Sequence, residues 1–190
     1  MTGTLTEQEF LAAARQFLNF SLQIHDDWEL IESQSGTAYL KKSIVQSLVI
    51  PTSENEESLN ELLEDDPSLS KPMSCLDFYN FEYHIIYSTS YQVPVLYFNV
   101  HKSNGTLLKL EEAWAGFRQL SSESSEQLHQ ILTQMEHPVL FKPFLALHPC
   151  QTSNVLCNLR KSNNLIVSFI SSFGPFINLN LSLEYSALTK

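Results

Sequence analysis

Three consecutive residues, His148, Pro149 and Cys150, are of types that could do chemistry together. They follow directly on the apolar run Phe144-Leu145-Ala146-Leu147. A proline fixes its own φ and drives the preceding residue toward an extended conformation. Pro149 therefore sets a defined backbone corner, and the thiol of Cys150 stands at a strand end, close to where a helix would start. A helix N-terminus favours a thiolate, and His148 offers a donor or a cation two residues away. That combination suits a nucleophile, yet a lone cysteine near a histidine is more often a structural residue. A cysteine protease would need an acid to orient the histidine, and no such residue can be named.

The rest of the composition narrows the setting. Cys75, Cys150 and Cys157 make an odd set without metal-ligand spacing, which argues against a disulfide scaffold and a structural zinc site. Cys75 reads as incidental, and nothing marks Cys157 as reactive. No cofactor-binding pattern is present. The net charge of −10 is concentrated between Thr52 and Ser70, where seven acidic residues occur without a Lys or Arg. No basic stripe exists for nucleic acid or anionic lipid, and no apolar run is long enough to span a bilayer. A reducing, cytoplasmic setting is the default expectation, and there the thiol of Cys150 stays free.

The elements that must hold this corner follow from periodicity. Residues 6–24 read as an amphipathic helix with Thr6 and Glu9 as a capping box and Phe10, Ala14, Phe17 and Leu18 on one stripe. Strands are expected at Trp28–Glu32, Thr37–Ile50, Phe78–Thr89 and Val93–His101. The last two form an antiparallel pair through Ser90-Tyr91-Gln92, and Pro94 implies an edge or an interrupted ladder. The acidic stretch 52–74 reads as a mobile loop with one helical turn near Leu59–Leu63. Leu110–Leu120 and Gln127–Met135 read as helices, and His137-Pro138 begins a segment that runs as a strand from Phe144 to Leu147 into His148-Pro149-Cys150. Helices over Thr152–Arg160 and Leu165–Phe173 follow, then an extended tail over Ile177–Leu183. The order gives an α+β fold of a single domain, an antiparallel sheet with helices on one face.

Longer motifs go further. The stretch Phe81 to Phe98, with Ser90-Tyr91-Gln92-Val93-Pro94 at its centre, resembles the autophagy-related protein 10 family of E2-like conjugating enzymes. So do Glu136-His137-Pro138-Val139-Leu140, the segment Phe144 to Thr152, Ile170 to Pro175 and Leu179 to Leu183. The resemblance covers most of the chain outside the acidic loop.

It implies a modified ubiquitin-conjugating fold in which Cys150 carries a ubiquitin-like modifier, autophagy-related protein 12, as a thioester. The modifier would come from an E1-like enzyme, autophagy-related protein 7, and pass to a lysine of autophagy-related protein 5. Ordinary ubiquitin-conjugating enzymes have a His-Pro-Asn motif whose Asn assists catalysis. Here the third position is the cysteine itself, and the resemblance assigns the assisting roles to Tyr91 and His148. His84 and His137 read as structural. The alternatives are a lipid-conjugating enzyme of the autophagy-related protein 3 type, which shares His-Pro-Cys, and a catalytically silent binding module of the same fold. A further expectation is that strands Phe81–Ser88 and Val95–Val100 present an exposed edge to the acceptor.

Overall fold

The structure is a computed structural model that describes residues 3–34, 36–50, 77–118, 131–159 and 162–190. The acidic stretch, its expected helical turn and Cys75 lie outside the described residues.

Helix α1 (Glu7–Gln23) begins at a complete capping box: the Thr6 hydroxyl accepts from the Glu9 amide at 3.2 Å, and the Glu9 carboxylate accepts from the Thr6 amide at 2.7 Å. Both bonds satisfy donors that a helix start leaves without intrahelical partners. Its buried stripe is Phe10, Ala14, Phe17 and Ser21. The strands are β1 (Trp28–Glu32), β2 (Ala38–Ser47), β3 (Phe78–Ser88), β4 (Val93–His101), β5 (Leu132–Glu136) and β6 (Pro143–Leu147). They form one six-stranded sheet in the order β1-β2-β3-β4-β6-β5, with every neighbouring pair antiparallel. Gly36 and Gly105, both at positive φ, make the tight links after β1 and β4.

Alternation sorts the sheet's side chains between two faces. Phe81, Tyr83 and Ile85 of β3 and Leu96, Phe98 and Val100 of β4 point into the main core. Helices α1, α2 (Leu110–Phe117), α3 (Thr152–Asn158) and α4 (Leu165–Phe173) cover that face, so the expected one-sided α+β layering is present. Phe117 of α2 meets the rings of Phe81 and Phe98 edge-on, at 6.3 and 5.5 Å. Burying each such side chain contributes about 1.5–3 kcal/mol.

The opposite face holds a smaller cluster: Tyr39, Ile86, Val95, Tyr97, Phe144 and Ala146. Within it lie the buried imidazoles of His84 and His137, whose Nδ1 and Nε2 are 3.0 Å apart. His137 Nδ1 accepts from the amides of Val139 and Leu140, so its Nε2 carries the proton and donates to His84. His84 Nε2 then lies 2.9 Å from Glu82 Oε1, close but off the line of the N–H bond. Burial, reinforced by the charge His84 can carry, pushes His137 down to about 4. The adjoining His84, ahead of Lys41, holds the Glu82 carboxyl down to about 2.

Several expectations are corrected. Leu132–Met135 is strand, not helix, because it pairs with β6 from Leu132↔Leu147 to Glu136↔Pro143 and so gains a ladder that an isolated helix could not match. His137-Pro138 opens the turn between these strands, closed by the Phe141 amide donating to the His137 carbonyl. The tail does not run extended throughout: Gly174–Ile177 and Leu183–Leu188 are 3₁₀ turns. The hairpin strands β3 and β4 are interior, and the sheet's edges are β1 and β5. No edge is therefore offered by β3 and β4 as a pair. Pro94 fits the other half of its expectation, since β6 pairs only with Tyr97 and Phe98 and the ladder stops short of the proline.

Candidate active site

Cys150 sits where the spacing places it, at the end of β6. A single 3₁₀ turn, Pro149–Gln151, joins that strand to α3. His148 enters the turn extended, at φ −61° and ψ 128°, as the following proline requires. Its own amide donates to the Ile131 carbonyl at 2.7 Å, and its Nδ1 accepts from the Cys150 amide at 3.2 Å. The side chain thus caps the turn that carries the thiol. An Nδ1 that accepts leaves the proton of the neutral ring on Nε2, so the ring presents a donor away from the backbone. Pro149 is buried beneath the corner, while the Cys150 side is exposed.

Tyr91 reaches the same corner from the β3–β4 link. Its ring stands edge-on to His148, with centroids 5.8 Å apart and planes at 79°. The link is held from within: the Tyr91 amide donates to Ser88 Oγ at 3.3 Å, and the Gln92 amide to the Ser88 carbonyl at 2.7 Å. Gln92 takes a left-handed φ of 55°. Tyr91 is about half exposed. On the other side of Cys150, the amide of Asn154 donates to Gln151 Oε1 at 3.1 Å.

All three site residues expected from the sequence therefore converge, although Tyr91 is far from the others in the chain. Sequence reasoning missed Ser88, which falls inside a run read as strand, and the strained Gln92, whose residue type does not signal a left-handed φ. Cys157 lies on α3 and is exposed, beyond the turn that holds Cys150. His84 and His137 are both turned to the sheet's second face, among the aromatic rings there.

With Cys150 exposed, the corner forms an open ledge. An open groove of ≈ 600 Å³ lies elsewhere, lined by α3, α4 and the C-terminal segment, including Val167, Leu179 and Tyr185. A ledge with an exposed thiol and neutral donors is suited to chemistry between macromolecules, whose own surfaces supply the walls. Among the described residues no group of three or more acidic, Cys or His side chains could hold a metal, and no helix is long and apolar enough to cross a membrane.

The family model for the "autophagocytosis associated protein, active-site domain" matches residues 9–184. The human ubiquitin-like-conjugating enzyme ATG10 is 34% identical over 96% of this chain and 93% of its own. The chain belongs to the ATG10 family of E2-like conjugating enzymes of autophagy. The ATG10 of Arabidopsis thaliana is 29% identical, with 96% and 95% of the two chains covered. That of Dictyostelium discoideum is 36% identical over about half of each chain. The matched span contains every described strand, both halves of the ledge and α1 from Glu9 onward.

Proposed function

We propose that Cys150 is the thioester-forming residue of this conjugating enzyme and that His148 and Tyr91 assist the transfer. The modifier is autophagy-related protein 12, delivered by the E1-like autophagy-related protein 7. The acceptor is a lysine of autophagy-related protein 5, and the reaction takes place in the cytoplasm without a cofactor. The observation that carries the reading is the exposed Cys150 on a one-turn corner capped by His148, whose ring stands edge-on to that of Tyr91.

The chemistry has two exchanges. In the first, the Cys150 thiolate attacks the thioester carbonyl on the E1-like enzyme. A new carbon–sulfur bond forms, the old one breaks, and the E1 thiol leaves. One thioester replaces another of similar energy, so the modifier stays activated. In the second, the neutral lysine amine attacks that carbonyl, charge gathers on its oxygen, and the Cys150 sulfur departs as the amide forms. The amine's surplus proton is released. The Nε2–H of His148 and the hydroxyl of Tyr91 are the donors available to the developing oxyanion. They stand in for the Asn that ordinary ubiquitin-conjugating enzymes keep at the position Cys150 occupies.

Mass spectrometry of the adduct formed with E1-like enzyme, modifier and ATP tests this. The expected products are a reductant-sensitive adduct on Cys150 and a reductant-resistant ester in Cys150→Ser. A Cys150→Ala variant that still joins modifier to acceptor overturns the assignment. Transfer to an aminophospholipid with none to the protein acceptor would move the chain to the lipid-conjugating reading.

A further inference from the structure

The two sides of the ledge come from separate hairpins. Cys150 and His148 belong to the end of the β5–β6 hairpin and α3, whereas Tyr91 belongs to the β3–β4 link. A third segment touches both. The Leu5 amide donates to the Gln92 carbonyl at 2.8 Å, one residue after Tyr91. The Leu5 carbonyl accepts from the Tyr87 hydroxyl, also at 2.8 Å, and the Leu5 side chain is buried. Two residues earlier, Gly3 lies directly on α3. A Cβ at Gly3 would stand 1.7 Å from the Ser153 carbonyl oxygen and 2.6 Å from the Cys157 nitrogen. Those two atoms belong to residues one helical turn apart, so the glycine is pressed against a turn of α3 itself. Nothing larger than hydrogen fits there.

We propose that Gly3–Leu5 is a positioning strap for the conjugating site: it ties the Tyr91 link to the helix that continues from Cys150 and so sets the gap between the Tyr91 phenol and the His148 imidazole. This rests on the roles given above to Cys150, His148 and Tyr91. The strap's effect passes through Gln92 and Tyr87 on one side and α3 on the other. Within the β3–β4 link the left-handed Gln92 has no glycine to make that φ easy, and the Leu5 bond holds its carbonyl in place. Loss of the strap lets the link relax and carries Tyr91 away from the developing oxyanion.

The test is single-turnover discharge of a preformed Cys150 thioester, with E1-like enzyme and ATP removed, over a range of acceptor concentrations. Gly3→Ala prises the strap off α3, and Tyr87→Phe removes the hydroxyl that holds the Leu5 carbonyl. Loading of Cys150 and half-saturation by acceptor are expected to stay as in the wild type. Maximal discharge is expected to fall between about tenfold and a hundredfold in Gly3→Ala, the scale of a misplaced catalytic group. A smaller, several-fold fall is expected in Tyr87→Phe, which leaves packing intact and decides the matter should Gly3→Ala fail to fold.

Each variant is then repeated in a Tyr91→Ala background, where a strap acting through Tyr91 has no further effect. Undiminished discharge in Tyr87→Phe and Gly3→Ala, or losses that multiply unchanged with Tyr91→Ala, overturn the strap's role alone. A wild type that forms no thioester on Cys150 overturns the reading of the site, and the strap's role with it.

Discussion

His148 does two jobs with its two ring nitrogens. Nδ1 caps the turn by accepting from the Cys150 amide, which leaves Nε2–H as the outward donor. An asparagine could reproduce both, since its oxygen accepts from the amide two or three residues on and its NH₂ donates. His148→Asn is therefore expected to keep discharge of the Cys150 thioester within about tenfold of wild type, whereas His148→Ala loses about a hundredfold or more, the typical cost of one oxyanion donor. Single-turnover rates distinguish the two, and equal losses in both would mean that the imidazole acts by something other than its donor. The triplet His148-Pro149-Cys150 was legible in the sequence because proline geometry acts locally. Tyr91 was legible as a candidate only through the family motif, since its approach to His148 depends on how distant strands register. The Ser88 and Gln92 contacts had no local signal at all.

At the scale of elements, the legible ones were those whose own pattern decides them. α1 is fixed by its capping box and a stripe at helical spacing, and it starts at the expected residue. Thr6→Ala removes the acceptor for the Glu9 amide and half of the reciprocal pair, so it is expected to cost about 1 kcal/mol. Urea unfolding reads this as a lower midpoint at unchanged slope, and an unchanged midpoint would show that packing alone holds the helix start. β5 was not legible. Its Leu-Thr-Gln-Met-Glu sequence has no strong preference, and it becomes strand because β6 lies alongside and the Trp114 indole donates to the Leu132 carbonyl at 3.1 Å. The tail failed for a related reason. The Leu179 amide turns back to the Gly174 carbonyl, and Gly174 packs so closely that a Cβ would lie 2.3 Å from the Leu179 carbonyl oxygen.

At the scale of the whole molecule, the two faces of the sheet answer differently to acid. The face away from the helices encloses His84 and His137 beside Glu82. His137 titrates near 4 in the fold against 6.5 when free, so the unfolded chain takes up a proton more readily between those values. Its contribution to stability is complete above pH 6.5 and is lost as the pH falls to 4. Glu82, held down to about 2 against 4.5, adds its own loss below pH 4.5. The protein is expected to lose on the order of 2 kcal/mol between pH 6.5 and 4 through His137, and His137→Asn should flatten that slope. Urea midpoints at the two pH values check it, and an equally steep slope in the variant would place the acid sensitivity elsewhere. The sheet also has one weak seam. β3 and β4 pair from Asn80↔His101 to Ser88↔Val93, but β4 holds β6 only at Tyr97↔Ala146 and Phe98↔Leu145. Cys150 stands at the end of this hairpin opposite its turn, and the turn is tied to β3 through the buried His137–His84 pair. With so short a ladder between β4 and β6, the buried side chains of β6 and that imidazole pair, more than backbone bonds, fix where the thiol's strand lies on the sheet.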